Sequence, residues 1–240
     1  MSGRRLQYGV CVLLVQLMIG CSRAEPTRDN AVANMAQVSA PAENGAVQAE
    51  AKLIVAFGDS LYAGYQLRAN EGFAPVLERE LRKARIDARV INAGVSGDTS
   101  AAGLQRLAFT LDGLPRKPDL VLVGLGGNDM LRGLAPAATR SNLDAILAEL
   151  KRRQIPAMLT GMIAAPNMGK DYAAEFNRIY PDLARKYGTE FYPFFLDGVI
   201  GRRELILPDG IHPNAKGVDM IVRNVSSRVS EAVQPTAVPR

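Results

Sequence analysis

The sequence predicts an α/β fold, a three-layer α/β/α sandwich built on a five-stranded parallel sheet. Three observations point there. Apolar runs of strand length alternate with segments of helical period from residue 51 to residue 233. The runs are apolar throughout rather than alternating, as strands covered on both faces are. Several stop at a glycine followed by polar residues, which suits strands that deliver loops to the sheet edge where ligands bind in such folds.

The first strand is read at 52–57, Lys-Leu-Ile-Val-Ala-Phe, closed by Gly58 and Asp59. Residues 73–85 follow as a helix, with Phe73, Val76, Leu77, Leu81 and Ala84 on one face among charged residues. The second strand lies at 88–92 and the second helix at 99–111. The run at 119–125 is the clearest strand, ending in Gly126-Gly127. A helix at 143–153 carries Leu143, Ile146, Leu147 and Leu150, and a strand at 156–161 follows it. The helix at 172–187 contains Pro181, which should kink or restart it. A short strand at 190–192 and a last helix at 215–233 complete the pattern. No internal repeat is present, and five strands in this alternation suggest the flavodoxin-like arrangement.

The N-terminus reads differently. Arg4 and Arg5, an apolar stretch from Val10 to Ile19 and then small residues have the layout of a bacterial secretory signal, and the stretch is short of the roughly 20 apolar residues of a membrane span. Leu17-Met18-Ile19-Gly20-Cys21 resembles a lipobox, so Cys21 is the expected site of lipidation, with later cleavage near Ala24 as the plainer alternative. Ser22 rather than Asp after that Cys resembles an outer-membrane address. The expectation is a signal at 1–21 and export to the periplasm of a Gram-negative cell, with a lipid anchor in the outer membrane. Residues 22–50, rich in Ala, Asn, Glu, Gln, Ser and Pro without an apolar face, are expected to be a flexible tether. Residues 51–233 form the expected domain, and 234–240 a frayed tail.

Composition excludes several classes. The 240 residues are 48% hydrophobic, 22% charged and 6% aromatic, which is not the profile of a disordered, collagenous or disulfide-stapled chain. The excess of 29 Lys and Arg over 24 Asp and Glu falls to three once Arg4 and Arg5 leave with the signal, too little to imply a nucleic-acid partner. Both cysteines, Cys11 and Cys21, belong to the leader, so the domain has no thiol nucleophile, disulfide or thiolate metal site. With one histidine, a His/Cys zinc cluster cannot be assembled either. Arg82-Lys83 with Arg85, and Lys151-Arg152-Arg153, read as solvated helix faces that could also favour anionic lipid.

Four short segments carry candidate chemistry. Ser60 follows the first strand and its glycine turn, where a hydroxyl can project from the sheet edge; taken alone, a helix N-cap is the favoured reading. Tyr62 excludes the G-x-S-x-G elbow. After the second strand, Gly94 and Gly97 permit unusual backbone angles or close approach to a ligand, and Asp98 or Thr99 could cap the next helix. Asn128, after Gly126-Gly127, offers an amide donor suited to an oxyanion, or is a turn residue at a left-handed position. Asp209-Gly210-Ile211-His212-Pro213 places a carboxylate three residues before the only histidine, close enough to fold back and orient it. A lone histidine is more often a packing residue, but Gly210 and Pro213 fix its backbone. Together these supply a nucleophile, an oxyanion hole and a base.

In this combination the chain resembles the SGNH (GDSL-type) hydrolases. The four blocks of that family stand in order: Gly58-Asp59-Ser60-Leu61, Ser96-Gly97-Asp98-Thr99, Gly126-Gly127-Asn128-Asp129 and Asp209-Gly210-Ile211-His212-Pro213. The likeness runs from about 53 to 225 and is nearest the branch of bacterial thioesterase I, or lysophospholipase L1, with shared stretches at 58–65, 126–133 and 209–214. The resemblance implies Ser60 as nucleophile, His212 as base, Asp209 as its orienter, and an oxyanion hole from the Ser60 and Gly97 amides and the Asn128 side chain. It implies a serine esterase for carboxylic esters or thioesters of medium or long chain, with no metal or organic cofactor called for; the periplasmic compartment favours esters such as lysophospholipids as substrates, and a monomer is expected. Met130, Leu131 and Ile163 are expected on the rim of the acyl pocket. The chain departs from the branch in having small Ala164 and Ala165 where a larger apolar residue is usual, and in its tether and lipobox. A carbohydrate O-deacetylase on the same fold and a non-catalytic envelope-binding lipoprotein are the alternatives.

Overall fold

The computed structural model describes residues 51–234. The leader, Cys21, the tether and the tail beyond Gln234 lie outside the described residues. Five parallel strands form one sheet: β1 (Lys52–Gly58), β2 (Ala88–Gly94), β3 (Leu120–Gly124), β4 (Ala157–Thr160) and β5 (Glu190–Tyr192), in the order β2-β1-β3-β4-β5. This is the flavodoxin-like order the alternation predicts, with its switch point between β1 and β3. The register runs Gly58 beside Gly94 on one side and beside Gly124 on the other, so three strands end level at that switch.

The strands alternate their side chains between two cores, as a period of two requires. Ile54 and Ala56 of β1 face α2 (Phe73–Lys83) and α7 (Ala215–Val233), where Leu77, Leu81, Ile221 and Val225 are buried. Val55 and Phe57 face the other way, toward Leu107 of α3 (Ser100–Asp112), Leu143 and Ile146 of α5 (Pro136–Arg152), and Phe176 and Ile179 of α6 (Lys170–Tyr187). Every buried side-chain nitrogen or oxygen among the described residues has a hydrogen-bond partner. Arg82 and Lys83 pair with Glu78 and Glu80 within α2, Arg152 pairs with Glu149 within α5, and Arg153, just past the end of α5, pairs with Glu149 and with Asp112 of α3.

Two expectations need correction. The fifth helix starts at Pro136, seven residues before the first apolar turn at Leu143, because proline is preorganised for a first helical position. Thr139 belongs to that earlier turn and is buried through its hydroxyl, so hydropathy did not reveal it. Pro181 does not restart α6, which continues from Lys170 to Tyr187. It costs one ladder bond, and Phe176, Ile179, Tyr180 and Leu183, all buried, hold both halves against the sheet. Two short helices, α1 (Ser60–Ala63) and α4 (Gly127–Leu131), were not visible as periodic segments; each directly follows a strand at the switch point.

Candidate active site

The site is assembled where β1, β2 and β3 end. Beyond β1, Asp59 and not Ser60 is the N-cap of α1: its Oδ1 accepts the Leu61 amide at 3.0 Å, and Ser60 becomes the first helical residue. The Ser60 hydroxyl is thereby left free to point into the site. Tyr62 anchors the turn beneath. Its ring lies over Gly58 and Gly124, where no Cβ would fit, and its hydroxyl meets Thr160 Oγ1 at 2.8 Å.

His212 arrives from the loop before α7. Asp209 Oδ1 accepts the backbone amides of Ile211 and His212, at 2.9 and 3.0 Å, which folds the loop back on itself. Its Oδ2 then faces His212 Nδ1 at 2.7 Å, and His212 Nε2 faces Ser60 Oγ at 2.8 Å. Burial alone would raise the Asp209 carboxyl, but the two amides and the imidazole outweigh it and hold it down to about 2. It therefore stays ionised at neutral pH and fixes the ring with Nε2 turned to the serine.

The second and third strand ends supply donors. Beyond β2, the Asp98 amide bonds the Val95 carbonyl at 3.2 Å, closing a turn whose third residue, Gly97, has φ +87°. That is a position where glycine is favoured. Arg132 Nη2 donates to the Gly97 carbonyl at 2.8 Å and steadies this turn. Gly94 meets the demand for close approach instead: a Cβ there would strike the Ala63 backbone. Beyond β3, the left-handed residue is Gly126, not Asn128, which lies in the first turn of α4. Asn128 Nδ2 donates to the Asp98 carbonyl at 2.9 Å, so the third block is oriented by the second. Among the described residues, the Ser60 and Gly97 amides donate to no other protein group.

Several supporting residues escaped the sequence reading. Arg106 on α3 pairs with Asp98 at 2.6 Å, donates to the Gly58 carbonyl at 2.9 Å and stacks over Phe57 at 4.1 Å, tying the ends of β1 and β2 together. Its only sequence signal is an Arg two turns into the helix that Thr99 caps, with Ala102 N donating to Thr99 Oγ1. Asp129 accepts the Ser100 amide at 2.7 Å and the Ser100 and Thr139 hydroxyls. Asp59 is 3% exposed, and burial pushes its carboxyl up to about 6 despite the Leu61 amide and the nearby His212.

A cavity of about 450 Å³ opens beside Ser60 and His212. Met130, Leu131, Met162, Ile163, Ala164, Ala165 and Phe194 line it, so the expected rim residues do lie there and both small alanines form part of its wall. The Ala164 amide donates to Asn177 Oδ1 at 2.8 Å and the Ala165 amide to Met130 Sδ at 3.0 Å, which pins that wall. Among the described residues, no group of three or more His, Cys, Asp or Glu side chains is placed to hold a metal ion.

Comparison with known proteins gives the same blocks a family. Residues 56–220 match the GDSL-like Lipase/Acylhydrolase family. The chain is 39% identical over 178 residues to the esterase TesA of Pseudomonas aeruginosa, covering 74% of this chain and 88% of that one. It is 38% identical to thioesterase 1/protease 1/lysophospholipase L1 of Escherichia coli K12, covering 69% of this chain and 77% of that one. The crystal structure of AlinE4, an SGNH-hydrolase family esterase, superposes with a TM-score of 0.66 at 54% identity, covering 78% of this chain and 98% of that one. The chain belongs to the GDSL-like lipase/acylhydrolase family, the SGNH hydrolases.

Proposed function

We propose that this chain is a serine esterase that hydrolyses carboxylic esters or thioesters of medium or long acyl chain through an acyl-enzyme on Ser60. The observation that carries the reading is the relay Asp209–His212–Ser60, with contacts of 2.7 and 2.8 Å, at the mouth of an apolar cavity. His212 Nε2 takes the hydroxyl proton as Ser60 Oγ attacks the acyl carbonyl. The oxyanion is received by the Ser60 and Gly97 amides and by Asn128 Nδ2, whose second hydrogen is engaged only in the weak 3.4 Å contact with Asp59 Oδ2 and turns from it. Collapse expels the alcohol or thiol, which leaves with the proton held on His212. Water then attacks the acyl-enzyme, giving its proton to His212, and the carboxylic acid departs as Ser60 regains its hydrogen.

The cavity supports a chain longer than acetyl, since each buried methylene contributes about 0.8 kcal/mol to binding. The leader supports export, with Cys21 as the anchor and periplasmic lysophospholipids or other esters as substrates. Among the described residues no helix is long and apolar enough to cross a membrane. The test is a series of p-nitrophenyl esters from acetyl to palmitoyl, with Ser60→Ala beside the native protein. Ser60-dependent turnover peaking at medium or long chains supports the reading. A peak at acetyl would replace it with a deacetylase, and no Ser60-dependent turnover in a folded protein would favour a binding protein.

A further inference from the structure

His212 stands on an exposed loop, and what keeps its ring in plane is not evident from the relay alone. Asp209, Gly210 and Ile211 are all exposed, and Gly210 has φ +74°. The two hydrogen bonds grip the imidazole at Nδ1 and Nε2. They fix where its two ends lie, but hydrogen bonds tolerate angular error, so they restrain the tilt of the ring plane between those ends only weakly.

Tyr65 packs against the imidazole, its ring tilted to that of His212. The two ring centroids are 4.4 Å apart with an interplanar angle of 36°. Tyr65 is well placed to act on both partners, because its own amide donates to the Ser60 carbonyl at 3.2 Å. Its loop is set by Gly64, left-handed at the end of α1, and by the Leu67 amide bonding the Gly64 carbonyl at 3.0 Å. Gln66 Nε2 donates to the Tyr65 hydroxyl at 3.1 Å and fixes the far end of the ring. Among the described residues lining the acyl cavity Tyr65 does not appear, so it reaches His212 from outside the acyl-binding wall.

We infer that Tyr65 is a positioning residue for the catalytic histidine, its ring face setting the tilt of the imidazole and stabilising the imidazolium formed when Ser60 loses its proton. The inference rests on the acyl-enzyme reading above. An aromatic ring attracts a cation through its quadrupole, and in this mechanism an imidazolium forms as Ser60 gives up its proton. The benefit therefore falls on the transition state more than on substrate binding, and appears in kcat rather than KM.

The test compares the full chain carrying Tyr65→Phe, Tyr65→Leu or Ser60→Ala with the native protein. Steady-state hydrolysis of a p-nitrophenyl ester and the rate of Ser60 labelling by a fluorophosphonate are measured. Tyr65→Phe keeps the ring and should stay within about twofold of native, while Tyr65→Leu should lose about tenfold in kcat and in labelling rate with KM little changed. Tyr65 is 37% exposed, so neither variant should alter the unfolding midpoint much. Native kcat in Tyr65→Leu, equal loss in Phe and Leu, or a change confined to KM would each overturn the inference. Turnover surviving in Ser60→Ala would overturn the acyl-enzyme reading and this inference with it, whereas Ser60-dependent turnover with an unimpaired Leu variant would overturn this inference alone.

Discussion

Behind Ser60, the carboxyl of Asp59 and the side-chain amide of Asn128 face each other, Oδ2 to Nδ2, at 3.4 Å. Asp59 has no cationic partner among the described residues; Arg106, the nearby guanidinium, is committed to Asp98. A buried carboxyl without a counter-charge disfavours its own ionisation, and this one is adjacent to Ser60 in the chain.

Stability should therefore depend on pH through Asp59. Below its ordinary value of 3.8 both folded and unfolded states are protonated and the group contributes nothing. As pH rises the unfolded chain ionises first, and stability falls until the folded carboxyl also ionises near 6. The loss is about 3 kcal/mol once both states are ionised. Asp59→Asn keeps the Leu61 cap and removes the titration. Urea unfolding from pH 4 to 8 should show the variant gaining on the native protein across that window, whereas a constant offset between them would exclude the effect.

Asn128→Ala should fold normally and lose roughly 10² to 10³ in kcat, as removal of one oxyanion donor does elsewhere. Because Asn128 is held by the Asp98 carbonyl rather than by substrate, KM should change little. Near-native kcat in a folded variant would take Asn128 out of the oxyanion hole.

Arg106→Gln removes the Asp98 ion pair, the Gly58 carbonyl bond and the stack on Phe57 at once. The Arg106 side chain is 20% exposed and that of Asp98 11%, so a partly desolvated Asp98 is left behind. The expected cost is about 3 kcal/mol in unfolding free energy, with a fall in activity because Asp98 carries Asn128. Chemical denaturation checks the first part, and an effect below about 0.5 kcal/mol would class the pair with ordinary surface bridges.

The alanine wall should set the acyl length. Ala164→Leu or Ala165→Leu adds three carbons to the cavity lining and should move the optimum of the p-nitrophenyl ester series to shorter chains while sparing the acetyl ester. An unchanged profile would place the chain-length limit elsewhere in the cavity.

Much of this architecture was legible because the strands are apolar without interruption. Residues 120–124 are all buried, and such a run reads as a covered strand from composition alone. The four chemical blocks were legible for a different reason: each couples a side chain to a turn residue that its backbone requires, as Gly97 at φ +87° shows. What stayed hidden depends on contacts distant in sequence. Arg106 is one arginine on a helix until Asp98, Gly58 and Phe57 converge on it. Tyr65 is one exposed aromatic until His212, far along the chain, is laid against it. The early start of α5 was missed because its first turn is anchored by a buried hydroxyl, which hydropathy does not register.

The central claim is that Ser60 is acylated with His212 as its base. Incubation with a fluorophosphonate followed by peptide mass spectrometry tests it most directly. The account predicts a single adduct on the peptide containing Ser60, absent in Ser60→Ala, strongly slowed in His212→Ala, and appearing in step with loss of ester hydrolysis. An adduct on another residue, or hydrolysis that persists with Ser60 fully modified, would contradict it.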